Sequence, residues 1–288
     1  MKTLRRRIQD ARKAGSVEQL VIERDYAQSY VLYGLGKTPE LQDALVFKGG
    51  TALKKVHFGD YRFSEDLDFS MVDGPTESDL DTAIRAAITR AEREVQEIAP
   101  VRFTVERYEE REPHPAGQEA FIVRAQFPWQ RQPMVPVKIE VTHDEPVLLP
   151  ALPSTVRHGY GEALDAQVRT YSLEEICAEK LRATQQTLEK LKARGWTRSR
   201  ARDYYDLWYL VREPDTNIDW DRVSSIVGEK CRLRNVQLES VDDIFDGLLL
   251  TEVRNTWERT LGPFVPNLPT ADIVIDELRD HLAALLRL

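Results

Sequence analysis

The sequence predicts an α+β protein, with a mixed sheet-and-helix N-terminal part followed by a helical C-terminal part. Two patterns carry this expectation. Short apolar runs that alternate with period two recur between residues 44 and 141, interrupted by one long stretch of helical period. Beyond a stretch punctuated by Pro146, Pro150 and Pro153, only helical periods remain. The expected division is an N-terminal domain over 1–155 and a C-terminal domain over 156–288.

Residues 16–36 read as a helix that ends in a Gly-Leu-Gly turn at 34–36. Ala44 to Phe47 is a short apolar strand running into a Lys48-Gly49-Gly50 turn, and Thr51 to Phe58 follows as a helix. Residues 66–72 alternate, with Leu67, Phe69 and Met71 on one face and Asp66, Asp68 and Ser70 on the other. Residues 78–98 carry a stripe of Leu80, Ile84, Ala87, Ile88, Ala91, Val95 and Ile98, and Pro100 follows its end. Val101 to Val105, Phe121 to Phe127 and Val135 to Val141 alternate as strands, with a polar loop between 108 and 119. Ser172-Leu173-Glu174-Glu175 has the spacing of a capping box opening a long helix. Further helices are expected over about 200–212, 219–232, 240–261 and 270–287.

With 42% hydrophobic and 31% charged residues in 288, the chain has the balance of a folded globular protein. The basic start, Lys2 to Arg7, has no apolar run after it, so no secretory signal is expected. No stretch approaches the ~18 apolar residues of a spanning helix, so a cytoplasmic protein without membrane association is expected. Cys177 and Cys231 lie in helical sequence and are expected as reduced, buried thiols, and no zinc-ligand spacing occurs. The net charge of −8 argues against indiscriminate nucleic-acid binding. Yet residues 178–202 carry eight basic residues against two acids, enough for a local face for a polyanion or simply a solvated helix face.

Three features point to chemistry. Gly49-Gly50-Thr51 follows a strand, and adjacent glycines let backbone amides approach a phosphate. The spacing is not that of a P-loop. Asp66 and Asp68 project from one strand face about 7 Å apart, and two carboxylates so placed repel unless a cation lies between them. Magnesium prefers such hard oxygen ligands. Glu140 interrupts the apolar strand Val137-Ile139-Val141 on its opposite side, where Lys138 also lies. Each has a plain alternative: an ordinary turn, an acidic strand edge, an exposed Glu–Lys face.

Taken together, a Gly-Gly turn, Asp-x-Asp on a strand and one acid on a later strand resemble the polymerase-beta-like nucleotidyltransferase superfamily. The gap from Gly50 to Asp66 is slightly longer than is common there. Phe47 to Lys54, Arg62 to Phe69, Ser172 to Leu181 and Arg202 to Leu207 resemble, in order, four motifs of one branch. That branch is the AbiEii/AbiGii family of type IV toxin–antitoxin toxins, which includes the MenT-like toxins. The likeness spans roughly residues 20–212.

The resemblance implies a polymerase-beta-like core, with Asp66, Asp68 and Glu140 holding Mg²⁺ (or Mn²⁺) and an NTP as co-substrate. It implies that Lys180 holds the triphosphate. On its helix Lys180 sits at the edge of the Leu173, Cys177, Leu181 stripe, either snorkelling or aimed at a ligand. One of Asp203 and Asp206, with Asp203 preferred, would be a base or would orient Lys180. The alternative is a salt bridge with Arg202 or a neighbour. Gly49, Gly50, Thr51, Lys48, Arg62 and Ser64 are candidate phosphate contacts. The implied activity moves NMP to an RNA acceptor, the tRNA 3′ end being the foremost expectation. The implied partner is an antitoxin of the winged-helix DNA-binding kind. A protein side chain or a cationic small molecule such as an aminoglycoside is the alternative acceptor. A non-catalytic NTP-binding regulatory module is a third reading, against which the presence of all three acids speaks. No motif selects a base.

Overall fold

The computed structural model describes residues 2–109, 117–213 and 216–286. They form two compact units, Met1–Tyr171 and Ser172–Leu288. The division falls after Tyr171, beyond the proline-rich stretch, because one strand at the end of that stretch and another downstream of it join the N-terminal sheet. Most of the loop expected between 108 and 119 lies outside the described residues.

The first unit opens with helices α1 (Leu4–Gly15) and α2 (Gln19–Gly36) and the single turn α3 (Pro39–Gln42). Strand β1 (Leu45–Lys48) runs into the short helix α4 (Gly49–Ala52), which widens into a π turn over Leu53–His57. Strand β2 (Asp66–Met71), helix α5 (Glu77–Gln96) and strands β3 (Arg102–Tyr108), β4 (Gln118–Gln126) and β5 (Val135–Thr142) follow. Strands β6 (Leu152–Thr155) and β7 (Gln167–Thr170) complete a seven-stranded mixed sheet in the order β3-β4-β5-β2-β1-β7-β6. The pairs β2–β5 and β1–β7 are parallel and the others antiparallel.

Register decides which residues share a face. Leu67 pairs with Ile139 and Phe69 with Val141, and Phe121 and Phe47 stand beside them in the same rows. All six are essentially inaccessible to solvent. Helix α2 packs against β5, β7 and α5, and Tyr26 on it meets Phe127, 5.9 Å away, at the end of that apolar face. The acids of β2 and β5 therefore point to the opposite face.

Helix α2 is buried on nearly every side, and the Gly-Leu-Gly expected as a turn is its last turn. The glycines serve close packing. A Cβ on Gly34 would stand 2.1 Å from the carbonyl oxygen of Ala87 on α5, and one on Gly36 2.0 Å from that of Gln167 on β7. The helix also carries buried charges, each matched. Asp25 pairs with Lys55 at 2.7 Å and accepts from the Tyr160 hydroxyl at 2.8 Å. Glu23 accepts from Trp129 Nε1 at 2.8 Å and Gln130 Nε2 at 2.9 Å. Glu162 accepts from Tyr26 at 2.6 Å and from Arg7. Against this cluster lies His158, also buried; burial and the Lys55 cation push its imidazole down to about 3.

The second unit is helical: α6 (Leu173–Arg194), α7 (Ala201–Arg212), α8 (Trp220–Leu233), a 3-10 turn (Val241–Phe245), α9 (Gly247–Leu261) and α10 (Ala271–Leu285). The single helix expected over 240–261 is broken at Asp246, whose side chain accepts from Leu248 N and caps α9. Ser172 caps α6 through Glu175 N at 3.3 Å. The Glu175 carboxylate pairs with Lys230 of α8 at 2.7 Å, both side chains fully buried. Cys177 and Cys231 are free and buried. No helix among the described residues is long and apolar enough to cross a membrane.

Two outcomes test this packing. Gly34→Ala is expected to lower unfolding stability by about 1–3 kcal/mol in urea titrations, because a backbone carbonyl cannot give way as a side chain can. His158 binds a proton near its ordinary 6.5 when unfolded, but only near 3 when folded. The unfolded state therefore takes up the proton first, and stability falls as pH drops below 6.5. The slope is about 1.4 kcal/mol per pH unit. Urea titrations between about pH 7 and pH 5 should show wild-type stability falling toward this slope as pH drops, and a shallower fall in His158→Gln, which leaves the raised Asp68 carboxyl in place as a common background.

Candidate active site

The site in the first unit is built around the exit of β1. Lys48 is the last residue of that strand, and Gly49 then takes a positive φ of 76°, which a residue with a side chain rarely adopts. Space makes the same demand. A Cβ on Gly49 would lie 2.3 Å from Asp68 Oδ2, so the missing side chain lets the carboxylate rest against the bend. A Cβ on Gly50 would lie 2.6 Å from Arg62 Nη2 and 3.3 Å from Ser64 Oγ. Thr51 donates its hydroxyl to the carbonyl of Asp66, tying the start of α4 to the start of β2. Lys48, Gly49, Gly50, Arg62, Ser64 and Asp68 thus lie about one bend. The expected helix over 51–58 starts earlier, at Gly49 itself.

The acids come together through strand register. Asp68 pairs with Glu140 on the parallel neighbour β5 and with Lys48 on the antiparallel neighbour β1. Asp66 pairs with Lys138. Paired residues share a face, so Glu140 lies on the same side of the sheet as Asp66 and Asp68. Burial, the carboxylate of Glu140, with which Asp68 also shares a hydrogen bond, and that of Asp66 hold the Asp68 carboxyl well above the usual range, against the pull of Lys48. Lys138 forms an ion pair with Glu140 and reaches over the Tyr108 ring, 5.1 Å from its centroid. Lys48 is buried, with its ammonium 5.8 Å from the Tyr171 ring.

As the rotamers stand, no three His, Cys, Asp or Glu side chains among the described residues are drawn together as a finished metal cage. Glu140 is turned toward Lys138 and Asp68. The donor chemistry nevertheless fits a hard divalent ion: three carboxylates, oxygen donors only, on adjacent strands, where burial and mutual repulsion raise the Asp68 carboxyl.

Two residues that the sequence reading missed hold the entry to β2. Arg24 pairs with Glu65 at 2.7 Å and donates to the carbonyl of Pro136 at 3.0 Å, bracing both β2 and β5. Gln28 donates to the carbonyls of Ser64 and Glu65 at 3.1 and 2.9 Å. Their signal was a charged run, Glu23-Arg24-Asp25, inside an otherwise apolar helix.

In the second unit, the remaining candidates meet one another. Lys180 on α6 pairs with Asp203 and Asp206 on α7, both at 2.7 Å. Asp203 also pairs with Arg200 at 3.1 Å, and Arg200 Nε donates to Thr187 Oγ1 at 2.7 Å. Lys180 neither snorkels nor pairs singly, because the i,i+3 spacing brings both aspartates to it. The partner of Asp203 besides Lys180 is Arg200. Although burial works against it, the Lys180 and Arg200 cations hold the Asp203 carboxyl below its ordinary value.

The model of the AbiEii family, nucleotidyl transferase toxins of type IV toxin–antitoxin systems, matches residues 30–284. The chain belongs to this AbiEii family. No protein of curated function matches it. Among solved structures it is similar to MenT4, a nucleotidyltransferase toxin from Mycobacterium tuberculosis H37Rv. The identity is 22% and the TM-score 0.63, over 93% of this chain and 84% of that one. At this identity the likeness shows the fold. The family match runs through both units, so the AbiEii assignment covers the glycine bend and acids as well as the Lys180 trio. Membership in a toxin–antitoxin family implies an antitoxin partner.

The Lys180 trio gives a graded outcome for AbiEii stability. Lys180→Met strands two carboxylates and is expected to cost about 3–5 kcal/mol. Asp206→Asn is expected to cost more than Asp203→Asn, because the Asp206 side chain is 0% exposed and that of Asp203 is 16% exposed. Thermal unfolding of the three variants checks the order; a Lys180→Met protein as stable as wild type would contradict a buried ion network.

Proposed function

We propose that this AbiEii toxin is a metal-dependent nucleotidyltransferase that moves NMP from an NTP to an RNA acceptor, foremost the 3′ end of tRNA. One observation carries the proposal: Asp68 and Glu140 stand side by side on parallel strands, with Asp66 on the same face, against the Gly49 bend. Such a group of like charges is costly unless a cation or proton is supplied. Asp66, Asp68 and Glu140 would hold Mg²⁺ or Mn²⁺. When bound, divalent ions neutralise charge on the attacking and leaving oxygens of an in-line displacement.

The chain's own residues supply the rest. The bend at Gly49 and Gly50 brings backbone close to a phosphate, and Arg62 and Ser64 stand against Gly50 as side-chain contacts for it. Thr51 holds the bend to β2 through the Asp66 carbonyl. Lys48 offsets part of the negative charge beside Asp68. In the second unit Asp203 and Asp206 orient the Lys180 ammonium, which the proposal keeps as a phosphate ligand. The acceptor oxygen attacks the α-phosphorus of the NTP, the bond to the bridging oxygen breaks, and pyrophosphate leaves. The family supports the toxin reading, and the basic run in 178–202 supports an anionic acceptor. The antitoxin is proposed to be a winged-helix DNA-binding protein.

The test uses each of four labelled NTPs with total RNA and with a cell extract. Incorporation into RNase-sensitive material is expected to need Mg²⁺ or Mn²⁺ and to fall by at least about 10³-fold in Asp66→Ala and Asp68→Ala. Label that resists RNase and yields to protease would move the acceptor to a protein. Label in a small cationic molecule would move it to a drug. Incorporation by both variants at the wild-type rate would reject the catalytic assignment.

A further inference from the structure

The turn between α6 and α7 carries no part of the proposed chemistry, yet it has an unusual composition. From Lys190 to Arg200 it holds Lys190, Lys192, Arg194, Arg198 and Arg200 and no acid. In their midst is Trp196, the second most exposed large hydrophobic residue after Leu152, at 58%. A tryptophan so placed loses the burial that normally repays its size, and among the described residues no ring stacks on it and no group bonds its indole.

The turn is fastened on both sides of that ring. Gly195 ends α6 in a left-handed conformation, φ 74°, with its N–H on the carbonyl of Leu191 at 2.9 Å. Ser199 Oγ accepts from Ala201 N at 3.1 Å and bonds the Thr256 hydroxyl, while Arg200 Nε is held by Thr187. Between these anchors Trp196 and Arg198 are both exposed. The cations converge in space as well as in sequence. Burial and the charges of Arg200, Arg194, Arg182 and Arg198 together hold the Lys190 ammonium below its ordinary value. Like charges gathered this closely cost stability, although Lys192 is partly answered by Asp246 at 3.0 Å.

We infer that this turn is a docking face for single-stranded RNA, with Trp196 stacking on one unpaired base and Arg194, Arg198 and Lys190 lying along the phosphates. The inference rests on the proposed RNA acceptor and adds how that acceptor is gripped. Three arguments select the occupant. A protein of net charge −8 that concentrates five cations without an acid in eleven residues offers a complement to a polyanion. A flat, exposed indole among cations matches the stacking platform of single-strand binders, since every base has a π face. In a duplex the bases are already stacked on one another, so an indole gains a face only from an unpaired nucleotide.

The experiment measures fluorescence anisotropy of a labelled twelve-nucleotide RNA of mixed sequence, an RNA duplex of equal length and a poly-glutamate peptide, without NTP, at about 50 and 200 mM salt. Wild type is expected to prefer the single strand. Trp196→Ala should weaken it about 5- to 150-fold, and Trp196→Phe should restore most of the loss. Arg194→Ala with Arg198→Ala should flatten the dependence of log affinity on log salt by about 1.4, near 0.7 for each phosphate deprived of its cation. Asp66→Ala should bind as wild type does.

Circular dichroism and thermal unfolding establish that the surface variants fold. Trp196→Ala binding and transferring nucleotide as wild type would overturn the inference. So would a wild-type protein that binds no single strand at the lower salt, or one that binds poly-glutamate as tightly, which would point to an acidic protein partner. A wild-type protein that binds RNA through Trp196 but transfers no nucleotide would instead reject the proposed activity and leave the face as a binding site.

Discussion

The pairing register of β2 against β5 is the constraint on which the first unit depends. It brings Asp68 next to Glu140 and, with the same step, places Leu67 against Ile139 and Phe69 against Val141 in the apolar layer. A slip of β2 by one residue would turn its faces over, sending Asp66 and Asp68 into the core and Leu67 and Phe69 out of it. The penalty for that exchange is far larger than the repulsion among the acids. The hydrophobic layer can therefore hold like charges together on the other face. Local devices then refine the register: the Thr51 hydroxyl on the Asp66 carbonyl, Gln28 on the carbonyls just before β2, and Arg24 bridging to β5. Gly49 contributes by absence, since any side chain there would displace Asp68.

How legible each part was follows from the range of the interactions that create it. Alternation alone places Asp66 and Asp68 on one face of their strand and Glu140 opposite the apolar side of its own, because side-chain direction along a strand is a local property. That β2 and β5 are neighbours is not local. Their convergence came into view only through the likeness to the polymerase-beta-like superfamily, in which an acid on a later strand completes the site. Strands β6 and β7 escaped because they are four residues each. Moreover, β6 is an exposed edge strand bearing Pro153, with neither alternation nor an apolar run to announce it. The boundary expected near 155 moved for the same reason. Gly34 and Gly36 were misread as a turn because glycine signals freedom in a sequence, whereas here it signals the approach of another backbone. The pairing of Asp25 with Lys55 joins elements thirty residues apart and leaves no periodic trace.

The two ionic groups that the family motifs single out are resolved in opposite ways, and the contrast bears on what each is for. Around Lys180 the charges cancel: Lys180 and Arg200 face Asp203 and Asp206, and the result is an aspartate held below its ordinary range. Such a group is stable as it stands, and its geometry is rigid because each member has a partner. Around Gly49 the acids Asp66, Asp68 and Glu140 face Lys48, Lys138 and Arg62, yet Asp68 is held above its ordinary range by burial and by its two acidic neighbours. Carboxylates that burial and one another's charge disfavour are ones that an incoming cation would stabilise. A fold selected for stability alone would place an amide or a hydroxyl at one of these positions, which would remove the repulsion without disturbing the register. Three carboxylates on adjacent strands, beside a bend that excludes every side chain, keep the frustration instead. Frustration that a single amide could remove is what the proposed metal site would require, stability given up so that a cation can be held.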